Sequence, residues 1–256
     1  MRISPGMRIT SSSLGADGTL ALILRRNPDF PPLAGATPSD RYLLSAAHVL
    51  ASGSINHDDC SASGSGEALA DKPSAFPELD PDGLTELGWI VEQSCLKTND
   101  NTSDGAIARI NTDVAGDVLI DPAGLDPVSS RSYRIVADTQ SPSDHIANHD
   151  PIVRFGAVTG VAAGRLGDPA EQLSLTLEGI QSDLTYSGLV RYTSSPGPCG
   201  GDSGALIAAV LSDGAGQGEI AIAPVAIHIG VDSDRNPVCY PLDAVVSAAW
   251  EPAYDA

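Results

Sequence analysis

The chain has 256 residues, 42% of them hydrophobic, and its 33 acidic against 14 basic residues give a net charge of −19. That charge repels phosphate backbones and argues against nucleic-acid binding, and no apolar run is long enough to span a membrane. With 26 glycines and 19 prolines scattered between short apolar runs, the composition suits one mostly β unit with a substantial core.

Residues 1–19 hold no apolar stretch like a secretory signal. The expected location is therefore cytoplasmic if Met1 is the native start, and secreted if a leader has been removed. Strands are expected at 19–24 and 42–45, short and bounded by Gly, Pro or Asp turns. The second runs through Ser45-Ala46-Ala47 and delivers His48 at its end. After a strand at 88–92, the polar turn Asn99-Asp100-Asn101-Thr102-Ser103 leads to Asp104, which opens the alternating strand 106–110. Residues 129–150 are polar, include Pro142 and read as a connection. His145 and His149 lie four apart near Asp144 and Asp150, but without a helix that spacing makes no metal site.

Further strands are expected at 152–155, 173–177, 189–192, 205–210 and 219–229. Between the strands 189–192 and 205–210 lies Pro198-Cys199-Gly200-Gly201-Asp202-Ser203-Gly204, a serine framed by glycines as on a strained turn that presents a nucleophile. Asp232-x-Asp234-x-Asn236 has the opening spacing of a calcium loop, yet Pro237 stands where that loop requires glycine, so a turn is expected. No metal or cofactor is called for. Near the end, Asp243 is placed to cap a short helix over 243–250 with Val246 and Trp250 on one face.

His48, Asp104 and Ser203 together carry a chemistry. A serine hydroxyl is a weak nucleophile near neutral pH, so His48 would take its proton during attack and return it to the leaving amine. Asp104 would hold the tautomer of His48 and stabilise its imidazolium. The oxyanion formed on attack needs donors, and the backbone N–H groups of Gly201 and Ser203 are the natural pair.

These three segments resemble the chymotrypsin-like (trypsin-fold) serine peptidases. Ser45-Ala46-Ala47-His48, Asp104-Gly105-Ala106-Ile107-Ala108 and Cys199-Gly200-Gly201-Asp202-Ser203-Gly204 are similar to that family's histidine, aspartate and nucleophile blocks. The resemblance implies an all-β fold of two packed six-stranded antiparallel Greek-key barrels with a short C-terminal helix. The first barrel (1–128) would carry His48 and Asp104, residues 129–150 would connect, and the second barrel (151–256) would carry Ser203.

The glycine-spaced segment 153–164 resembles bacterial streptogrisin-like members, in which an internal arginine neutralises the aspartate beside the nucleophile. Arg154 is the candidate partner of Asp202, which would make N-terminal processing unnecessary. In trypsin-like members an acid stands six residues before the nucleophile; here that position is Gly197, so trypsin specificity has no basis. Ala226-Ile227-His228-Ile229-Gly230 resembles the Ile-His-x-Gly of glutamyl endopeptidases, which places His228 and Gly230 with Gly197 in the substrate pocket. Two preferences stay open: acidic residues read by His228, or small and apolar residues with His228 packed in its strand. The family's pocket disulfide implies Cys199–Cys239, leaving Cys60–Cys95 for the first barrel.

The leading function is a serine endopeptidase acting on protein or peptide, with regulation inside a cell by a protein partner as a further expectation. A catalytically inactive relative used as a binding module and an esterase with the same triad are the alternatives.

Overall fold

The computed structural model describes residues 2–11, 17–50, 74–77, 87–111, 115–116, 119–120, 132–177, 183–213 and 219–253. In chain order the first half contributes β1 (Arg2–Ile3), β2 (Arg8–Ser11), β3 (Asp17–Thr19), β4 (Leu22–Arg26), β5 (Tyr42–Ser45), α1 (Ala47–Leu50), β6 (Ser74–Pro77), β7 (Gly88–Gln93), β8 (Ala106–Ile110), β9 (Ala115–Gly116) and β10 (Leu119–Ile120). Next come β11 (Ser132–Ile135) and α2 (Pro142–Ala147). The second half contributes β12 (Pro151–Gly156), β13 (Gly160–Pro169), β14 (Gln172–Leu175), β15 (Leu184–Ser187), β16 (Val190–Ser195), β17 (Leu206–Asp213), β18 (Glu219–Val231), β19 (Pro237–Pro241), α3 (Leu242–Val245) and β20 (Trp250–Pro252).

Two sheets of eight strands dominate, and each contains a six-stranded barrel. In the second, the neighbours run β12-β13-β16-β19-β18-β17, and β17 pairs back onto β12 to close the ring. In the first they run β2, β3 with β4, β5, β8, β7, β6, and β6 pairs back onto β2. That ring closes at a bend, because Leu20 N donates to Met7 O while Ala21 N donates to Leu44 O, so consecutive residues face strands on opposite sides. Taking the six strands of each barrel in chain order as a to f, both rings read a-b-c-f-e-d. The Greek-key order thus appears twice in a chain whose sequence carries no visible repeat.

Chain composition explains why these elements form. β18 (EIAIAPVAIHIGV) is apolar on both faces and is buried along most of its length, as befits a strand with neighbours on each side. Buried apolar side chains from strands of both sheets form one continuous core that includes Leu22, Leu43, Leu44, Ile107, Phe155, Leu206 and Ile227. A second cluster of Ile152, Leu166, Val190, Tyr192, Ile207, Val225 and Cys239 fills the second barrel and takes in Ile146 of α2.

Two details differ from expectation. The helix expected over 243–250 is the single turn α3, which has Pro241 and not Asp243 at its N-cap and ends at Val246 in extended backbone. Residues 250–252 instead add a strand to β4, where they satisfy edge backbone groups that a longer helix would leave open. Trp250 then packs edge-on against Tyr42, with ring centroids 4.6 Å apart, and donates through Nε1 to Glu92. The stretch 129–150 is also more structured than a plain connection. β11 runs parallel to the start of β18, and α2 begins with a capping box in which Ser141 and Asp144 bond each other's backbone N–H. His145 of α2 is buried with Nδ1 2.7 Å from Asp150 and Nε2 3.0 Å from Asp138.

Candidate active site

β5 and β8 pair antiparallel with Ser45 opposite Ala106, so the residues just past the end of β5 and just before the start of β8 must meet. Those residues are His48, in the turn α1, and Asp104. His48 Nδ1 lies 2.8 Å from Asp104 Oδ2, and His48 N donates to Oδ1 at 3.0 Å. Tyr186, on β15, adds its hydroxyl to Oδ2 at 3.0 Å. Asp104 is fully buried and His48 nearly so. Burial works against the carboxylate, but the charge and hydrogen bonds of His48, joined by Tyr186, outweigh it and hold the Asp104 pKa below the ordinary range. With Nδ1–H given to Asp104, Nε2 is left as an acceptor, and it has no hydrogen-bond partner among the described residues.

Ser203 stands on a turn in which Asp202 N donates to Cys199 O and Ala205 N to Asp202 O. Gly201 and Gly204 have φ of 88° and 85°, a left-handed conformation that glycine adopts without strain. A Cβ on Gly204 would lie 2.3 Å from Ser45 Oγ and 3.0 Å from Ala46 N, so the turn is pressed against the segment that carries His48. β3 fastens it there: Thr19 N donates to Ser203 O at 2.7 Å and Thr19 Oγ1 to Gly201 O at 2.9 Å. The N–H groups of Gly201 and Ser203 have no partner among the described residues. Ser203 Oγ, half-buried, donates to Ile229 O at 3.3 Å and not to His48.

Asp202 points the other way, into a closed cluster. Arg154 Nη1 reaches Oδ2 at 2.9 Å, and both side chains are fully buried. Thr159 Oγ1 and Cys199 N also donate to Oδ2, at 2.6 and 3.0 Å, while Val158 N and Thr159 N donate to Oδ1. Burial alone would raise the Asp202 pKa; the bonds from Thr159, Cys199 and Val158, with the charge of Arg154, hold it below the ordinary carboxylate range. The turn before Ser203 is therefore braced from inside the second barrel.

No protein-family model and no curated protein sequence matches the chain. Solved structures do. Thermobifida fusca protease A aligns over 100% of both chains with 13% identity and a TM-score of 0.60. A chymotrypsin of Cellulomonas bogoriensis aligns over 100% of both with 13% identity and 0.56. A glutamic-acid-specific serine protease described as using a histidine triad in substrate binding aligns over 94% of both with 16% identity and 0.50. The chain has the fold of the bacterial chymotrypsin-like serine proteases.

Within this chymotrypsin-like fold, the expected pocket residues are distributed unequally. His228 is buried on β18, with Nδ1 2.9 Å from Tyr192 OH and 3.1 Å from Val238 O, and its ring meets Tyr192 edge-on. Burial, with the charge of Arg154, pushes its pKa down to about 3, so it is neutral at working pH. Gly230 lies on the same strand beside Leu177 and Leu175, which a Cβ there would meet at 3.3 and 4.0 Å. Gly197 stands at the approach to the Ser203 turn with open space where a side chain would project.

The Cys199–Cys239 bridge is not formed. Alternation on β19 turns Cys239 into the second barrel, where its thiol contacts Val190 O and burial raises its pKa, while Cys199 sits exposed on the nucleophile turn. Of the other expected pair, Cys60 lies outside the described residues. Asp232 anchors the β18–β19 hairpin: its carboxylate accepts from Arg191 Nε and from the backbone of Asp234 and Asn236, the turn expected there. Sequence reasoning missed Thr159, Tyr192, Tyr186 and Tyr240. Only the three residues after Gly156 hinted at Thr159, as the turn of a glycine-rich hairpin; the tyrosines come from strands too distant to reveal their partners.

Proposed function

We propose that the chain is a serine endopeptidase that cleaves protein or peptide substrates through an acyl-enzyme on Ser203. The carrying observation is the buried His48–Asp104 pair at 2.8 Å, set beside a nucleophile turn whose Gly201 and Ser203 N–H groups are unengaged. Asp104 fixes the Nδ1–H tautomer, so Nε2 is the base. On substrate binding the Ser203 hydroxyl leaves Ile229 O, turns to His48 Nε2 and attacks the carbonyl carbon. The proton passes to Nε2, and the carbonyl oxygen gathers charge in reach of the two N–H groups. His48 then protonates the departing amine, and water hydrolyses the ester by the same steps in reverse.

For specificity, the reading supported best is a small or apolar residue on the acyl side of the scissile bond. Leu175 and Leu177 flank Gly230, Gly197 brings no acid to attract Lys or Arg, and His228 is neutral with Nδ1 already engaged. With its Nδ1 proton given to Val238 O, a neutral His228 has no Nε2 proton to offer a carboxylate, and burial disfavours the imidazolium that would.

The second reading is an inactive binding module, favoured by one observation: Ser203 Oγ is bonded to Ile229 O while His48 Nε2 has no partner. Labelling with a fluorophosphonate probe, with Ser203→Ala as control, separates the two. Ser203-dependent labelling at neutral pH is expected; a folded protein that does not label is the module. Cleavage of a peptide library then reports the pocket, with apolar residues expected before the cut.

A further inference from the structure

The Asp104 carboxylate holds one donor that does not belong to the trio of reacting residues. Oδ1 accepts His48 N, Oδ2 accepts His48 Nδ1–H, and Oδ2 also accepts the hydroxyl of Tyr186 at 3.0 Å. Neither Asp104 nor Tyr186 has any exposed surface, so water does not supply this bond. Burial, with the neighbouring Asp104 charge, raises the Tyr186 pKa far above the usual range and keeps the hydroxyl a donor.

Tyr186 is itself held by the loop that ends at Asp104. Asn101 N donates to Thr185 O at 3.0 Å, Ser187 N donates to Asn101 O at 2.8 Å, and Asn101 Nδ2 donates to Thr185 O at 2.9 Å. Tyr240 of β19 ties the same place, its hydroxyl reaching Asn101 O at 2.8 Å and Ser187 O at 3.0 Å. The loop of the first barrel and the β14–β15 hairpin are thus clamped on both sides of one residue, and that residue's hydroxyl is aimed at Asp104.

We propose that Tyr186 is a positioning residue for the acid–base pair, delivering from the second half of the chain the hydrogen bond that orients Asp104 and moderates its pull on His48. The proposal rests on the triad reading above. Its chemical consequence has a sign. A donor on Oδ2 withdraws charge from the carboxylate, so its loss strengthens the hold of Asp104 on the imidazolium and raises the His48 titration midpoint. The titratable groups facing this pair are Tyr186 on β15, Tyr240 on β19 and His228 on β18. His228 stays neutral above about pH 3 and both tyrosines are pushed above their ordinary range, so none of the three changes charge across the neutral range.

The test follows the His48 Nδ1 proton by NMR against pH in the full chain, with and without Tyr186→Phe. The expected midpoint rises by about half a unit on substitution, and kcat/KM falls about fivefold through kcat, with KM unchanged and the acid limb moving in step. Tyr240→Phe removes a hydroxyl that bonds the clamp and not Asp104; it is expected to lower stability and leave the His48 midpoint in place. An unmoved midpoint in Tyr186→Phe, or an equal shift in Tyr240→Phe, overturns the proposal. Should Tyr186→Phe fail to fold, the Tyr186 hydroxyl proton of the unaltered protein serves. It must shift with the His48 midpoint, and a constant resonance overturns the assignment. Absence of Ser203 labelling would instead end the peptidase reading, and the NMR result would stand apart from it.

Discussion

The two halves of the candidate active site are built differently. His48 and Asp104 stand at adjacent ends of neighbouring strands of one barrel, and the carboxylate between them is fully served: three donors, full burial and a lowered pKa. Ser203 comes from the other barrel. Its backbone is locked by Thr19 on one side and the Asp202–Arg154 cluster on the other, yet its hydroxyl rests on Ile229 O. Strand pairing sets a contact within a barrel to a fraction of an ångström. A contact across the seam is set by the backbone only up to the last side-chain rotation, which costs little.

The hardest blow to this contrast is Ser203→Ala, expected to lower kcat about a millionfold without moving Tm, as measured by turnover and calorimetry. Asp104→Asn should lower kcat about ten-thousandfold by releasing the His48 tautomer, and a normal rate in this variant would mean the complete half is not the catalytic one. Arg154→Met leaves Asp202 charged and buried without its cation. It should cost about 3–5 kcal/mol in chemical denaturation and slow acylation as the turn loosens; an unchanged rate would show that the turn does not need its brace.

A pH titration of stability sharpens the comparison further. Burial holds His228 neutral down to about pH 3, against 6.5 in the unfolded chain. As pH falls below 6.5 the unfolded chain gains a proton that the folded one refuses, so stability declines between those values. His228→Gln should flatten that part of the curve. Asp104 and Asp202, whose folded pKa values are lowered, stabilise above the unfolded carboxylate value and lose that contribution only at lower pH. The smallest effect expected is that of Leu177→Ala, about a fivefold loss of kcat/KM on peptides with a large apolar residue before the cut and little on alanine.

Much of this was legible in the chain. Ser45-Ala46-Ala47-His48, Asp104 before an alternating strand and Ser203 between glycines each announce a local geometry, and strand pairing brings the first two together as that geometry requires. The strands at 42–45, 88–93 and 106–110 follow from short apolar runs between turns. Asp243-Ala244-Val245-Val246 carries helical spacing, yet the helix stops at Val246 because the free edge of β4 has a stronger claim on 250–252. The capping box of α2 was written in Ser141-Pro142-Ser143-Asp144, but the polar surroundings read as a loop.

The sequence by itself determined which residues are the candidates for the chemistry, because glycine-framed turns and strand ends are local and glycine and proline mark them. Only the tertiary structure decided how those residues are partnered. Tyr186 on Asp104, Thr159 between Arg154 and Asp202, Tyr192 on His228 and the buried thiol of Cys239 are contacts between strands that are far apart or differ by one residue in register. A shift of one position would turn each of these side chains to the opposite face, and composition carries no record of that choice.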